Sequence, residues 1–344
     1  VIGERINPTG RKILSEELER GDFSRVEADA VAQVMAGANV LDVNSGAVFS
    51  NKMAEDPRYA DNNFVEPPLM KELIERVQAV VDVPLCIDSS VPGALEAGLE
   101  AGILQFNVES WSELEALNAV AGKLGKIAPV ALRVNPDVDA QTLAKITTGS
   151  RGNKFGLPFD DIPALVQQMA ALPHVRLEAL AMHIGSQLFK MQPFSDAYKR
   201  LADLTRHLAS EGTTLQRLDM GGGLGIPYTP EDGEGPDPVD LAAAAVEHLA
   251  PLGLPTIVEP GRFVVGNSGV MIADIVYTKD SYDHRFLLLN AGMNDLMRPA
   301  LYEAYHHILP LQQSVAAPVP QEIAGPICES TDVFAKQRLL PPMA

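Results

Sequence analysis

Four glycines in five residues, Gly221-Gly222-Gly223-Leu224-Gly225, form the densest local signal in this chain. Consecutive glycines let backbone N–H groups close on an anion with no Cβ in the way, and a helix N-terminus behind them would add its dipole. That chemistry is phosphate binding; the competing reading is a tight turn that needs positive φ. Upstream, His183-Ile184-Gly185-Ser186-Gln187 combines an imidazole with a hydroxyl. The histidine could stack on a planar cofactor or move a proton, with Ser186 on a phosphate, or it could be an ordinary hydrogen-bonded core residue. Glu259-Pro260-Gly261-Arg262 sets a carboxylate and a guanidinium on either side of a turn. Such a pair can hold a protonated ring nitrogen and an anionic group, or form a plain salt bridge.

These groups need elements to position them. Short apolar or β-branched runs alternate with stretches at helical spacing, the pattern of βα units and a parallel sheet. Strands are expected at Ile2 to Ile6, Asn39 to Val43, Leu85 to Asp88, Leu104 to Val108, Val130 to Val134, Leu177 to His183, Leu215 to Met220 and Thr256 to Glu259. Capping-box spacing at Ser24/Glu27 and at Ser110/Glu113 marks helix starts. Gly37 closes the first of these helices, and Pro67-Pro68 should open another. Eight units predict an α/β fold with a (β/α)8 TIM-type barrel over 1–269; an open doubly wound sheet is the alternative. Residues 270–344 read as part of a β-rich C-terminal domain, with strands at Val270 to Thr278, Phe286 to Asn290 and Glu322 to Ile327 and one helix near Pro299 to His307.

In such barrels the working groups gather at the C-terminal strand ends. Here those ends carry Glu4, Arg5 and Asn7; Asp42 and Asn44; Asp88; Asn107 and Glu109; Arg133 and Asn135; His183 and Ser186; Asp219 with Gly221 to Gly223; and Glu259 with Arg262. Any one of them alone could be a solvated cap.

Composition narrows the class. With 344 residues, 46% hydrophobic and 21% charged, the chain is globular rather than disordered. A net charge of -18 repels phosphate backbones and anionic lipid, which argues against nucleic-acid and membrane partners. No run is long enough to span a bilayer and no secretory signal precedes the barrel, so a soluble, cytoplasmic protein is expected. Two distant cysteines, Cys86 and Cys328, make neither a disulfide framework nor a zinc cluster, and no metal site is expected.

From about Gly102 onward the chain closely resembles the diaminopimelate decarboxylases, pyridoxal-phosphate enzymes with an alanine-racemase-type barrel and a β domain. The resemblance rests on Phe106-Asn107-Val108-Glu109-Ser110, Arg133-Val134-Asn135-Pro136, Asn153-Lys154-Phe155-Gly156, the His183 and glycine-loop motifs and Glu259-Pro260-Gly261-Arg262. Further on come Ala291-Gly292-Met293-Asn294-Asp295-Leu296-Met297-Arg298-Pro299 and Cys328-Glu329-Ser330. Residues 1 to about 100 resemble instead the pterin-binding barrel of the corrinoid-dependent methyltetrahydrofolate methyltransferases. Ile2-Gly3-Glu4-Arg5-Ile6-Asn7-Pro8-Thr9-Gly10, Gly37-Ala38-Asn39-Val40-Leu41-Asp42-Val43-Asn44 and Pro84-Leu85-Cys86-Ile87-Asp88-Ser89 carry that likeness. The chain thus reads as a hybrid, joined within Ala94 to Gly102, with three βα units (1–100) of one kind and five (101–269) of the other.

The first resemblance implies decarboxylation of meso-diaminopimelate to lysine, with pyridoxal phosphate as cofactor. His183 would stack on the pyridine ring, Ser186 and Gly221 to Gly223 would hold the phosphate, and Glu259 would face the ring nitrogen. Arg262, Arg298 and Tyr302 would hold substrate carboxylates or phosphate. Cys328 and Glu329 would enter the neighbouring subunit's site, which implies a homodimer. The second resemblance implies a tetrahydrofolate-type pterin held by Glu4, Asn7, Asp42, Asn44 and Asp88, with Asn107 standing in on the fourth strand. It leaves a non-catalytic binding barrel and a pterin-dependent methyltransferase as the alternative functions.

The hybrid departs from the decarboxylases where it matters. Their cofactor-linking lysine sits near the end of the first barrel strand, where this chain has Arg5, and a guanidinium stays protonated. Lys12 is the nearest substitute. Leu143 stands where a histidine is expected and Thr331 where a glycine is, and the β domain reads as cut short. An impaired decarboxylase is therefore expected.

Overall fold

The computed structural model describes residues 2–8, 11–46, 62–87, 92–139 and 154–343. Strands β1 (Ile2–Ile6), β2 (Val40–Val43), β3 (Leu85–Ile87), β4 (Phe106–Val108) and β5 (Ala128–Asn135) are followed by a two-residue strand, β6 (Leu157–Pro158). Then come β7 (Val175–Ala181), β8 (Arg217–Asp219) and β9 (Thr256–Ile257). All but β6 coincide with expected runs. Neighbouring strands pair in parallel, as helix crossovers require.

The helices between them are α1 (Lys12–Glu19), α2 (Ser24–Met35), α3 (Asn62–Val80), α4 (Pro92–Ala101), α5 (Trp111–Lys123), α6 (Ile162–Gln168), α7 (Gln192–Ser210), α8 (Pro238–His248) and α9 (Gly261–Val265). The architecture is a (β/α)8-type barrel followed by a β-sheet.

The barrel ladder is built in two arcs, β1-β2-β3 and β4-β5-β7-β8-β9, with β6 hung on β5. Among the described residues no strand pairing joins β3 to β4 or β9 to β1. Across the first of these seams one backbone bond remains, Leu104 N–H to Leu85 C=O at 3.3 Å. What unites the arcs is apolar: Ile6, Leu41, Val43 and Leu85 belong to the same buried cluster as Phe106, Val130, Leu132 and Leu218. At the seam, a Cβ on Gly98 would lie 2.7 Å from Ile87 Cδ1, so α4 rests directly on β3. Lys126 Nζ caps the C-terminus of α4 through the carbonyls of Leu99 and Glu100, at 2.6 and 3.0 Å.

Two helix starts differ from expectation. Ser24 is the first residue of α2 rather than its cap, and its N–H is taken by Asp22 Oδ1 at 3.1 Å. Pro67 and Pro68 lie inside α3 instead of opening it. The helix starts at Asn62 and tolerates two missing N–H donors within its first two turns. The Ser110/Glu113 capping box is present with both arms.

The chain divides into two compact units, Val1–Gly225 with Pro236–Val264, and Ile226–Gly235 with Val265–Ala344. The second unit is a four-stranded sheet of order β10 (Ile275–Ser281), β11 (His284–Leu289), β12 (Val319–Ala324) and β13 (Val333–Leu340). The β11/β12 pair is parallel and the other two are antiparallel. Leu287, Ile323, Phe334, Ala335 and Leu340 make its core. Strand β13 was not expected. Helix α10 (Arg298–Tyr302) ends five residues before His307, because Glu303 takes a left-handed φ of 55°.

Candidate active site

The second arc presents its strand-end groups as two bonded sets, one around Asp219 and His183 and one around Glu109 and Arg133. Asp219, the last residue of β8, accepts the Gly221 N–H on Oδ1 at 2.9 Å and the Met182 N–H on its carbonyl at 3.0 Å. Burial pushes its carboxyl up to about 6, against the pull of the Gly221 N–H and the Arg133 charge. The glycine loop then runs under three neighbouring segments. Gly221 and Gly223 have φ of 66° and 107°. A Cβ would fall 2.2 Å from Met182 O at Gly221, 1.8 Å from Glu259 O at Gly222 and 2.2 Å from Gly185 O at Gly223. The positive-φ reading of this loop holds, and its backbone approaches other segments too closely for any side chain. It is stitched at Glu259 N–H to Gly221 O (2.8 Å) and Leu188 N–H to Gly223 O (2.9 Å).

His183 belongs to the first set. Its Nδ1 accepts the Gly222 N–H at 3.3 Å, which assigns the ring proton to Nε2. Burial, aided by the Arg133 charge, lowers its pKa to about 4. The ring is neutral at neutral pH and offers an aromatic face rather than a proton. Beside it, Arg133 Nη1 bonds Glu109 Oε1 at 2.6 Å, while Glu109 Oε2 accepts the Gly156 N–H at 2.9 Å. The Arg133 guanidinium lies over the Phe155 ring. Three of the sequence motifs are thus joined in space; Asn153 lies outside the described residues.

The first arc contributes to the same interior. Asp42 pairs with Cys86 in the β2/β3 register. Burial raises the Cys86 thiol well above its ordinary range, with Asp42, Glu259 and Asp219 adding to the effect. A small cavity is lined by Val40 and Cys86 of the first arc and by Asn107, Asp219 and Glu259 of the second. Asn107 accepts Gln105 Nε2 at 2.9 Å. Asn44 Oδ1 accepts the Gly46 N–H at 2.8 Å, and its own N–H reaches Ile6 O at 2.9 Å. Glu4 and Arg5 lie on β1 and Asn7 just beyond it. Asp88 and Leu143 lie outside the described residues.

Ser186 follows the His183 strand and Arg262 sits in the first turn of α9. In the second unit, Arg298 opens α10 and Tyr302 closes it. Arg298 donates Nη2 to Tyr228 Oη and Nη1 to His306 Nε2, both at 3.3 Å, and lies over the Tyr228 ring. Burial and the Arg298 charge lower the His306 pKa, which keeps it an acceptor. Sequence reasoning missed Tyr228 and His306; the only hint was that Tyr228 follows the glycine loop closely. Cys328 is exposed and, with Glu329, lies between β12 and β13. Among the described residues no group of three or more His, Cys, Asp or Glu is placed to hold a metal ion, and no helix is long and apolar enough to cross a membrane.

The neutral imidazole face of His183 suits a planar ring, and Glu259 is tied to the loop beside it; the Gly221 and Gly222 N–H groups are already given to Asp219 and His183. A covalent anchor is another matter, because none of β1 to β9 contains a lysine.

Residues 82–266, more than half the chain, match the family described as pyridoxal-dependent decarboxylase, pyridoxal binding domain. The chain belongs to that family, and its cofactor is pyridoxal phosphate. Diaminopimelate decarboxylase of Haemophilus influenzae is 44% identical over 244 residues, covering 70% of this chain and 58% of that protein. The Pseudomonas aeruginosa enzyme of the same name is 42% identical over 269 residues, covering 77% and 64%. The chain thus spans less than two thirds of the length of these relatives. Among solved structures, diaminopimelate decarboxylase from Helicobacter pylori complexed with L-lysine matches with a TM-score of 0.77 at 29% identity, covering 93% of this chain and 74% of that one. Residues 3–126 also match the pterin binding enzyme family, so the two matches overlap over 82–126, around the expected join.

Proposed function

We propose that this chain is a decarboxylase of the diaminopimelate type, acting on meso-diaminopimelate to give lysine, with turnover impaired by the replaced first strand. The observation that carries the reading is the glycine loop locked against His183 and Glu259. When bound, the cofactor supplies an electron sink for the pair released on loss of carbon dioxide. Ser186 and the Gly221 to Gly223 loop would hold its phosphate, with the Gly221 and Gly222 N–H groups already committed to Asp219 and His183. His183, neutral, would offer its ring face to the cofactor. Glu259 would favour a protonated ring nitrogen. By the resemblance, Arg262 in the first unit and, taken separately, Arg298 and Tyr302 in the second would bind carboxylates or phosphate; neither group to which Arg298 donates, Tyr228 Oη or His306 Nε2, is a carboxylate. Cys328 and Glu329 serve the site of a second copy in a homodimer, where a thiol can deliver a proton. A cytoplasmic location accords with this reading.

The test is lysine formation from meso-diaminopimelate with added pyridoxal phosphate, together with borohydride reduction and intact mass. Slow turnover with no stable protein adduct is expected; turnover at the rate of the full-length relatives would overturn the impairment.

A second reading, a non-catalytic barrel for pyridoxal phosphate or a pterin, is favoured by the 3–126 match and by the position of Asp42 beside Cys86. Calorimetric titration with each ligand separates the two: Asp42→Asn should weaken only the pterin. A pterin-dependent methyltransferase predicts, in addition, methyl transfer from methyltetrahydrofolate to a corrinoid.

A further inference from the structure

Two loops of the second unit carry groups assigned above to substrate: the one that runs through Met293 to Arg298, and the one that carries Cys328 and Glu329. Both are tied to one side chain with no role so far. Asp332 is only 2% exposed. Its Oδ1 accepts the Met293 N–H at 2.6 Å, 39 residues away, and its Oδ2 accepts the Ile327 N–H at 2.7 Å. The Asp332 backbone adds bonds from Gly325 N–H to its carbonyl and from its own N–H to Glu329 O, both 3.0 Å.

The carboxylate is seated against bare backbone. A Cβ on Gly325 would stand 2.3 Å from Oδ2, so nothing larger than glycine fits there. Asp295, the other acid of the first loop, accepts the Gly292 N–H at 2.9 Å and so closes that loop only on itself. Asp332 alone of these two reaches across. A carboxylate of this length offers two acceptors for two N–H donors, whereas an amide offers one.

We propose that Asp332 is the positioning residue that fixes the Cys328–Glu329 loop relative to the Met293–Arg298 loop, so that the thiol and carboxylate offered to a second copy keep a set spacing from the Arg298 guanidinium. The importance of that presentation rests on the proposed decarboxylase reading; the anchoring itself does not. Hydrogen exchange by mass spectrometry on the full chain tests it. Asp332→Ala should speed exchange about tenfold at peptides covering Met293 and Ile327, while β12 and β13 keep their protection. Asp332→Asn, with one acceptor left, should rescue one loop and not the other. Unchanged exchange in Asp332→Ala, or loss spread evenly over β10 to β13, overturns the proposal. Local loosening in a chain that makes no lysine from meso-diaminopimelate leaves the anchoring intact and counts only against the decarboxylase reading.

Discussion

The two arcs of the barrel differ in how their strand ends are joined. In the second, described side chains bond across strands, His183 to Gly222 and Glu109 to both Arg133 and Gly156, while Asp219 holds Gly221 of its own loop. In the first, the described bond between strand ends is backbone to backbone, Asn44 N–H to Ile6 O, while Asn44 Oδ1 accepts the Gly46 N–H of its own loop. Its reach across the barrel comes through Asp42 and Cys86 at the shared interior. The difference teaches that side-chain chemistry can be concentrated in five strands while, on the proposed reading, the group that would fasten a cofactor belongs to the other three.

The largest effect should come from supplying that group. In Arg5→Lys, the amine replaces the guanidinium at the position the decarboxylases use. Borohydride reduction with pyridoxal phosphate present is expected to add one cofactor mass to the variant and none to the parent strand, checked by peptide mapping of residues around β1. An adduct elsewhere in both proteins would erase the contrast between the arcs.

Gly222→Ala attacks the opposite arc. Its Cβ would meet the Glu259 carbonyl at 1.8 Å, a backbone contact that cannot rotate away. A loss of about 3 kcal/mol in unfolding free energy is expected, with loss of cofactor binding. Denaturant titration and calorimetry read the two.

Two titrations sharpen the comparison further, since both belong to the second arc and they oppose one another. Asp219 binds a proton more tightly folded than unfolded, so its contribution falls as pH rises from its ordinary 3.8 through about 6. His183 is the reverse: its folded pKa of about 4 lies below its ordinary 6.5, so stability is full above 6.5 and lost as pH falls through 4. Across pH 4 to 6 the slopes cancel. Asp219→Asn should therefore leave stability rising with pH, and His183→Asn should leave it falling, each by on the order of 2 kcal/mol over that window. Chemical denaturation at several pH values decides; two parallel profiles would refute the assignment.

Lys126→Ala should have the smallest effect. It removes the two bonds that cap α4 at the seam, at a cost of about 1 kcal/mol, visible as a modest fall in the denaturation midpoint.

Much of this was legible in the residues. Alternating apolar runs located eight barrel strands because parallel strands buried on both faces are short and continuous. The need for glycine at Gly221 to Gly223 was legible because positive φ and bare backbone there have no substitute. Strand β13 escaped because Lys336, Gln337 and Arg338 break its apolar run and a proline pair follows it. Pro67 and Pro68 misled because proline usually marks a first turn and here occupies the second. Tyr228, His306 and Asp332 were invisible for a different reason: each matters through partners dozens of residues away or across a loop, and no periodicity records that.

The interrupted ladder between β3 and β4 has a consequence for ancestry and engineering alike. Where neighbouring strands share a full hydrogen-bond register, a foreign segment must match it residue for residue. At this junction, among the described residues, one N–H and a set of apolar contacts around Gly98, Ile87 and Phe106 have to agree. A barrel with such a junction can exchange a whole sector for one of different origin while the remaining strands keep their spacing.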